Sequence, residues 1–300
     1  MAKRAIHAPR GRRVRRRRRL AVAGITAVCA LIALVLLLDA RGGVSHPGEW
    51  LANSYGVRRE RIKVKSAAVG LTLPTEVLLP KNYDKSDRRP ILVLLHGRGS
   101  RPDQLSNKAQ RKALADAGPN APIVALPYGG AASYWHDRSA GDWGRYVTGE
   151  VIPAVAAKFG GDRRRVAIGG VSMGGFGAFD LARLHPGRFC ALGGHSPALW
   201  QTGGETAAGA FDDAADFARN DVIAVARNRP SAYHGMRIWI DAGDQDPFQP
   251  GDQAMIAALR QSGADLQTHA WRGGHDGAYW NAHFGAYLRF YTRALARCRS

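Results

Sequence analysis

The feature that most restricts the fold of this 300-residue chain is a series of short, uninterrupted apolar runs separated by stretches of helical period. Ile91-Leu92-Val93-Leu94-Leu95 is the clearest run. A strand with one wet face alternates apolar and polar residues, so an unbroken run marks a strand covered on both faces. Strands are expected at 62–68, 71–79, 91–95, 123–126, 166–168, 189–192, 237–240 and 266–270. Between them apolar residues return at helical spacing, as Val147, Val151 and Val155 do, and Trp280, Phe284, Tyr287, Leu288 and Tyr291 mark one face of a last helix. Such alternation predicts a single α/β domain on a mostly parallel, doubly wound sheet. The 36 glycines follow no three-residue period, which excludes collagen and points to many tight turns.

The formal net charge of +19 would suggest a nucleic-acid partner if it were evenly spread. It is not: residues 1–19 hold 10 of the 43 Lys and Arg and no acid, leaving 33 basic against 24 acidic side chains elsewhere. The arginine block that ends at Arg19 runs directly into an uncharged stretch, 20–38. At ~1.5 Å per residue that stretch spans about 28 Å, close to the hydrocarbon thickness of a bilayer and longer than a secretory apolar region. The best small-residue exit, Ala40, has Leu38 at its −3 position, a poor cleavage site. A single signal anchor at 20–38 is therefore expected, with 1–19 cytoplasmic, a linker at 39–60 and a catalytic domain at 61–297 beyond the membrane. A signal cleaved after Sec or twin-arginine export, with Arg18-Arg19 as the pair, is the alternative. The cluster Arg58, Arg59, Arg61, Lys63 and Lys65 reads as a solvated strand face, with contact to an anionic envelope polymer as the alternative, and no nucleic-acid partner is expected.

Gly170-Val171-Ser172-Met173-Gly174 fits the pattern G-x-S-x-G. In so glycine-rich a chain the bare pattern says little, but here a strand precedes it and a helix, Phe176 to Leu184, follows. Small neighbours permit the strained turn that pushes a serine hydroxyl out at a strand end. A serine nucleophile needs an oxyanion hole, a base and an orienting acid. The hole requires two backbone N–H groups. Met173, at the helix N-terminus, supplies one; the loop His96-Gly97-Arg98-Gly99-Ser100 supplies the other, assigned to Arg98 within one residue. His96 itself is expected to shape that loop. The base is His275, in the loop between the last strand and the last helix. Asp244 and Asp246, beyond the strand that ends at Asp241, both qualify as the acid on spacing. The order Ser, Asp, His is that of α/β-hydrolases. Tyr134 and Trp135 are expected to wall the substrate pocket, and the segment 203–210 is small and polar. Cys190 is expected to be a buried free thiol, with pairing to Cys298 as the alternative. No cofactor and no metal are expected.

Several stretches together resemble the esterase D-like family of α/β-hydrolases, which includes S-formylglutathione hydrolases, feruloyl esterases and the antigen 85 mycolyltransferases. They are Glu76-Val77-Leu78-Leu79-Pro80-Lys81-Asn82-Tyr83, Leu94-Leu95-His96-Gly97, Gly170-Val171-Ser172-Met173-Gly174-Gly175, Asp241-Ala242-Gly243-Asp244-Gln245-Asp246 and Gly274-His275-Asp276. The resemblance covers 61–295 and implies an α/β-hydrolase fold and acyl transfer through an acyl-enzyme. In that family the acid commonly stands three residues after the strand-end glycine, which selects Asp246. The expectation is a membrane-anchored, extracytoplasmic serine esterase acting on short or medium acyl esters, small or envelope-borne. The alternative is an acyltransferase of the mycolyltransferase type. A non-catalytic envelope-binding protein would be expected to lose the serine, histidine or aspartate, and all three are present.

Overall fold

The computed structural model describes residues 54–298. The expected basic segment and membrane span, and the linker as far as residue 53, lie outside the described residues. Among those described, no helix is long and apolar enough to cross a membrane.

Eight strands form one sheet: β1 (Arg58–Lys65), β2 (Thr72–Leu79), β3 (Pro90–Leu95), β4 (Ile123–Pro127), β5 (Asp162–Ser172), β6 (Ala191–Pro197), β7 (Arg237–Gly243) and β8 (Asp265–Trp271). Their order is β1-β2-β4-β3-β5-β6-β7-β8. The first two junctions, β1 with β2 and β2 with β4, are antiparallel, and every later one is parallel. The helices that matter below are α1 (Lys108–Ala115), α2 (Ile152–Phe159), α3 (Met173–Leu184), α4 (Ala214–Arg219), α5 (Val222–Asn228), α6 (Gln249–Gln261) and α7 (Gly277–Leu295). Each expected strand is present. β5 begins four residues before its apolar core because Arg163 and Arg164 are exposed and leave no apolar signal. β1 likewise starts at Arg58, its first half lying on an exposed sheet edge. There Arg59 and Arg61 converge on the Glu76 carboxylate, at 2.6 and 2.5 Å, so the basic cluster is partly neutralised rather than freely solvated.

β3 shows why the unbroken runs carried so much weight. Ile91, Val93 and Leu95 enter the core beneath α2 and α3, while Leu92 and Leu94 enter the opposite core with Leu114 of α1 and Leu288 of α7. All six of its residues are buried. The parallel strands all point the same way, so the loops after β3, β5, β7 and β8 gather at one edge of the sheet.

The cysteines depart from expectation. Cys190 and Cys298 form a disulfide, with Cα atoms 5.7 Å apart, across 108 residues of sequence. Burial of Cys190 is what a place at the start of a core strand implies, but β6 starts one residue later. Its half-buried side chain therefore sits at the start of the strand, where the turn after α7 brings Cys298. A covalent tie across a loop this long restricts the unfolded chain strongly. Replacing both cysteines by serine is expected to lower stability by about 2–5 kcal/mol. Urea unfolding with and without reductant tests this: reductant should shift the wild-type midpoint and leave the Cys190→Ser/Cys298→Ser midpoint in place.

Candidate active site

Ser172 ends β5 and caps α3 with φ 54° and ψ −118°, a left-handed conformation rare for a residue with a side chain. That turn exists because the backbones on either side come unusually close. A Cβ at Gly174 would fall on the Leu95 carbonyl oxygen, and one at Gly175 would lie 2.7 Å from Pro197 Cβ. The result is a hydroxyl held clear of the sheet, at the N-terminus of α3, with the first amide groups of the helix unpaired around it.

The Ser172 hydroxyl lies 2.8 Å from His275 Nε2, and His275 Nδ1 lies 2.9 Å from Asp246 Oδ2. With Nδ1–H donating to the carboxylate, Nε2 is free to accept from the serine. The imidazole is packed between the rings of Phe248 and Trp280, at centroid distances of 4.9 and 5.2 Å. Asp246 also accepts from the Phe248 N–H at 2.9 Å. Burial pushes the Asp246 pKa up, but the hydrogen bonds from His275 and the Phe248 N–H outweigh it and hold the carboxyl below its ordinary range. Asp244, which spacing left open as the acid, does a different job. Its Oδ1 accepts from Gly273 N–H at 3.0 Å. With Asp244 N–H to Trp271 O and Gln245 N–H to Gly273 O, at 2.8 and 2.9 Å, it joins the acid loop to the histidine loop.

The loop after β3 lies against the serine: a Cβ on Gly97 would sit 3.4 Å from Ser172 Cβ. Among the described residues the Arg98 N–H has no acceptor, which leaves it available to an oxyanion beside that of Met173. The Arg98 guanidinium reaches across to the Ala208 carbonyl at 2.9 Å, pinning the loop to the polar 203–210 segment. Beneath, His96 accepts the Gly129 N–H on Nε2 at 3.0 Å and meets the Gly97 carbonyl through Nδ1 at 2.8 Å. It is wholly buried, and burial lowers its pKa to about 4. His96 is thus a neutral strut.

Tyr134 and Trp135 do not wall a pocket. Trp135 has no exposed surface, donates its indole N–H to the His96 carbonyl at 3.1 Å and fills the space above Gly129 and Gly177. Tyr134 is 2% exposed and packs on Phe176, Trp200 and Phe211. Both adopt left-handed backbone conformations that turn the side chains inward. The cavity next to the histidine, of 370 Å³, is instead bounded by Leu199, Trp200, Pro247 and Phe248, with Glu205 at its wall. Sequence reading passed over these residues because they sit in loops without periodicity.

Asp241, read from the sequence only as the acid that ends a strand, has a larger part. This fully buried carboxylate accepts from Trp239 Nε1 at 2.6 Å, His195 Nδ1 at 2.8 Å, Tyr279 OH at 2.9 Å and Tyr287 OH at 2.7 Å. Burial and then the Asp241 charge push both phenol pKa values far up, so the two tyrosines remain donors. Tyr291 OH meets His195 Nε2 at 2.9 Å and occupies the space that a Cβ on Gly169 or Gly193 would need. Of these hydroxyls, Tyr287 and Tyr291 were legible only as part of an apolar helix face, and Tyr279 was not singled out at all. Among the described residues no cluster of three or more His, Cys, Asp or Glu could hold a metal.

A family model described as "Putative esterase" matches residues 66–291. The chain belongs to this family. It is 27% identical over 257 residues to an esterase of Mycobacterium tuberculosis H37Rv, covering 71% of this chain and 54% of that protein, so it spans about half the length of that relative. It is 25% identical over 285 residues to the diacylglycerol acyltransferase/mycolyltransferase Ag85B of Mycobacterium avium, covering 81% of this chain and 85% of that protein. Among solved structures, a ferulic acid esterase superposes with TM-score 0.69 at 23% identity, covering 79% of this chain and 98% of that one. An S-formylglutathione hydrolase from Agrobacterium tumefaciens superposes with TM-score 0.67 at 18% identity, covering 81% and 97%. At these identities the likeness is one of fold, the α/β-hydrolase fold.

The strut role of His96 has a pH signature. Its folded pKa, about 4, lies below the ordinary value of 6.5, so the folded state resists protonation that the unfolded chain accepts. Stability is full above the ordinary pKa and falls as pH drops from there towards the folded value, by about 3 kcal/mol. Urea titrations between pH 7 and 4 should show a steeper loss for wild type than for His96→Asn, whose amide keeps the acceptor for Gly129. Parallel curves would remove His96 as the titrating group.

Proposed function

We propose that this chain is a serine carboxylesterase that hydrolyses short or medium acyl esters through an acyl-enzyme. The observation that carries the reading is the continuous line Ser172 Oγ, His275 Nε2, His275 Nδ1, Asp246 Oδ2, with links of 2.8 and 2.9 Å. In this reading Ser172 attacks the ester carbonyl while His275 takes its proton. Asp246 holds the imidazole tautomer and stabilises the imidazolium. The N–H groups of Met173 and Arg98 receive the oxyanion. His275 then returns the proton to the departing alcohol, and water, activated by the same histidine, releases the acid. The small cavity beside Phe248 supports short or medium acyl groups, being near the lower end of the ~300–1,000 Å³ common for small-molecule sites.

Similarity to Ag85B supports a second reading, in which an alcohol acceptor replaces water in the last step. The apolar run at 20–38 and the arginines before it support a signal anchor with the esterase domain outside the cytoplasm. The Cys190–Cys298 disulfide points to the same oxidising compartment.

With full-length protein and a panel of acyl esters, Ser172→Ala is expected to lose at least ~10³-fold in turnover and Asp246→Asn about 10⁴-fold, without unfolding. Asp244→Asn keeps an acceptor for Gly273 N–H and should lose far less. Fluorophosphonate labelling of Ser172→Ala equal to wild type would sink the assignment. Offered a sugar or glycolipid acceptor in dilute solution, the enzyme should yield mostly free acid; mostly transferred acyl group would establish the second reading. In cells the protein should stay in the membrane pellet after a carbonate wash, whereas a soluble form beginning near residue 41 would establish a cleaved signal.

A further inference from the structure

We propose that the cleft between β8 and the C-terminal half of α7 is a docking groove for a linear polyanion. This inference does not depend on the ester chemistry at Ser172.

β8 is the last strand of the sheet, and none of its residues is fully buried. There a cavity of 640 Å³ has Trp239, His269, Trp271 and Phe290 at its base, Arg289 and Arg293 along its helical wall and Arg297 in the turn just past the helix. The three arginines recur every fourth residue: Arg289 and Arg293 stand roughly 6 Å apart along the helix, and Arg297 continues the stripe in the turn just past its end. A second cavity, of 510 Å³, shares Arg237 and Arg297 with the first and continues to Arg164, near the start of β5. The two make one track. It begins at Trp271, four residues before His275, and descends to the sheet edge opposite the serine.

The charge along this track is uncompensated. Asp265, the one acid in its lining, is already paired with Arg237 at 3.0 Å. Among the described residues, Arg164, Arg289, Arg293 and Arg297 have no carboxylate within ion-pair distance. The other basic cluster differs, since Arg58, Arg59 and Arg61 each meet a glutamate. Guanidinium groups aligned on one wall repel one another, and an anionic chain laid along them removes that repulsion while taking bidentate hydrogen bonds. The base is an aromatic row packed ring on ring. Trp239, His269, Trp271 and His283 stack in sequence, with centroid distances of 4.2, 4.7 and 4.0 Å. Such a base suits the uncharged links between the anionic groups.

The concavity favours a chain over a membrane surface. A lipid plane meets what protrudes, and the large apolar side chains exposed among the described residues, Tyr55, Leu71 and Leu184, do not line this cleft.

The test is arginine-selective labelling of full-length protein with phenylglyoxal, read residue by residue by peptide mass spectrometry. This separates the groove from the arginines of residues 1–19, which attract any polyanion. Long-chain polyphosphate and polygalacturonate are the probes, so that whichever protects identifies the oxyanion. At polymer concentrations about ten times the Kd, labelling of Arg289, Arg293 and Arg297 should slow about tenfold. Labelling of Arg58 should not change, and protection should weaken as salt rises. Diphosphate, too short to span the stripe, should protect far less. In Arg293→Ser, protection of Arg289 and Arg297 should fall while turnover of a small ester stays at the wild-type value. The proposal is overturned if protection is absent, is as strong at Arg58, is matched by diphosphate, or occurs only with phosphatidylglycerol vesicles.

Discussion

A single buried carboxylate holds the catalytic half of this molecule together. An ion removed from water without partners costs several kcal/mol, so Asp241 is tolerable only because four donors surround it. Those donors come from β6, β7 and α7, and two of them stand on the helix that begins just after His275. Satisfying the charge therefore fixes where α7 lies on the sheet. With α7 fixed, Tyr279 packs beneath Gly273, and the histidine loop has little freedom left. The Asp246–His275–Ser172 line at the surface thus rests on a second line, Asp241–His195–Tyr291, sealed within the core.

The oxyanion side is supported on a different principle. Where Asp241 uses charge, His96 avoids it: a neutral ring with each nitrogen turned to a backbone group, under a loop whose amide must stay unpaired. Trp135 fills the remaining space and bonds the same loop from below. The two supports meet at Ser172, whose strained backbone is paid for by neither alone but by the close packing of β3, β5 and α3.

What could be read from the sequence follows from the range of the forces involved. β3 and β4 announced themselves because burial on both faces leaves an unbroken apolar run, and the Ser172 turn did because close backbone approach demands glycine nearby. His275 followed from where a strand ends; strand ends left Asp244 and Asp246 both open, and only the family resemblance favoured Asp246. The start of β5 was silent, since exposed arginines carry no apolar period. Asp241 reads as an ordinary strand-end acid until its partners, up to 46 positions away at His195 and Tyr287, are folded around it. Trp135 misled for a related reason: a loop tryptophan on the catalytic side suggests a pocket wall, and only its left-handed backbone turns it inward.

The disulfide divides the active site topologically. Cys190 and Cys298 close a covalent ring that contains Asp246 and His275, whereas Ser172 lies in the chain before it. A protease that cuts one exposed turn inside the ring, such as the one at Gly263, opens the ring without releasing a fragment. Acid and base would then remain tethered to the strand beside the serine, and a nicked molecule could keep its working parts assembled.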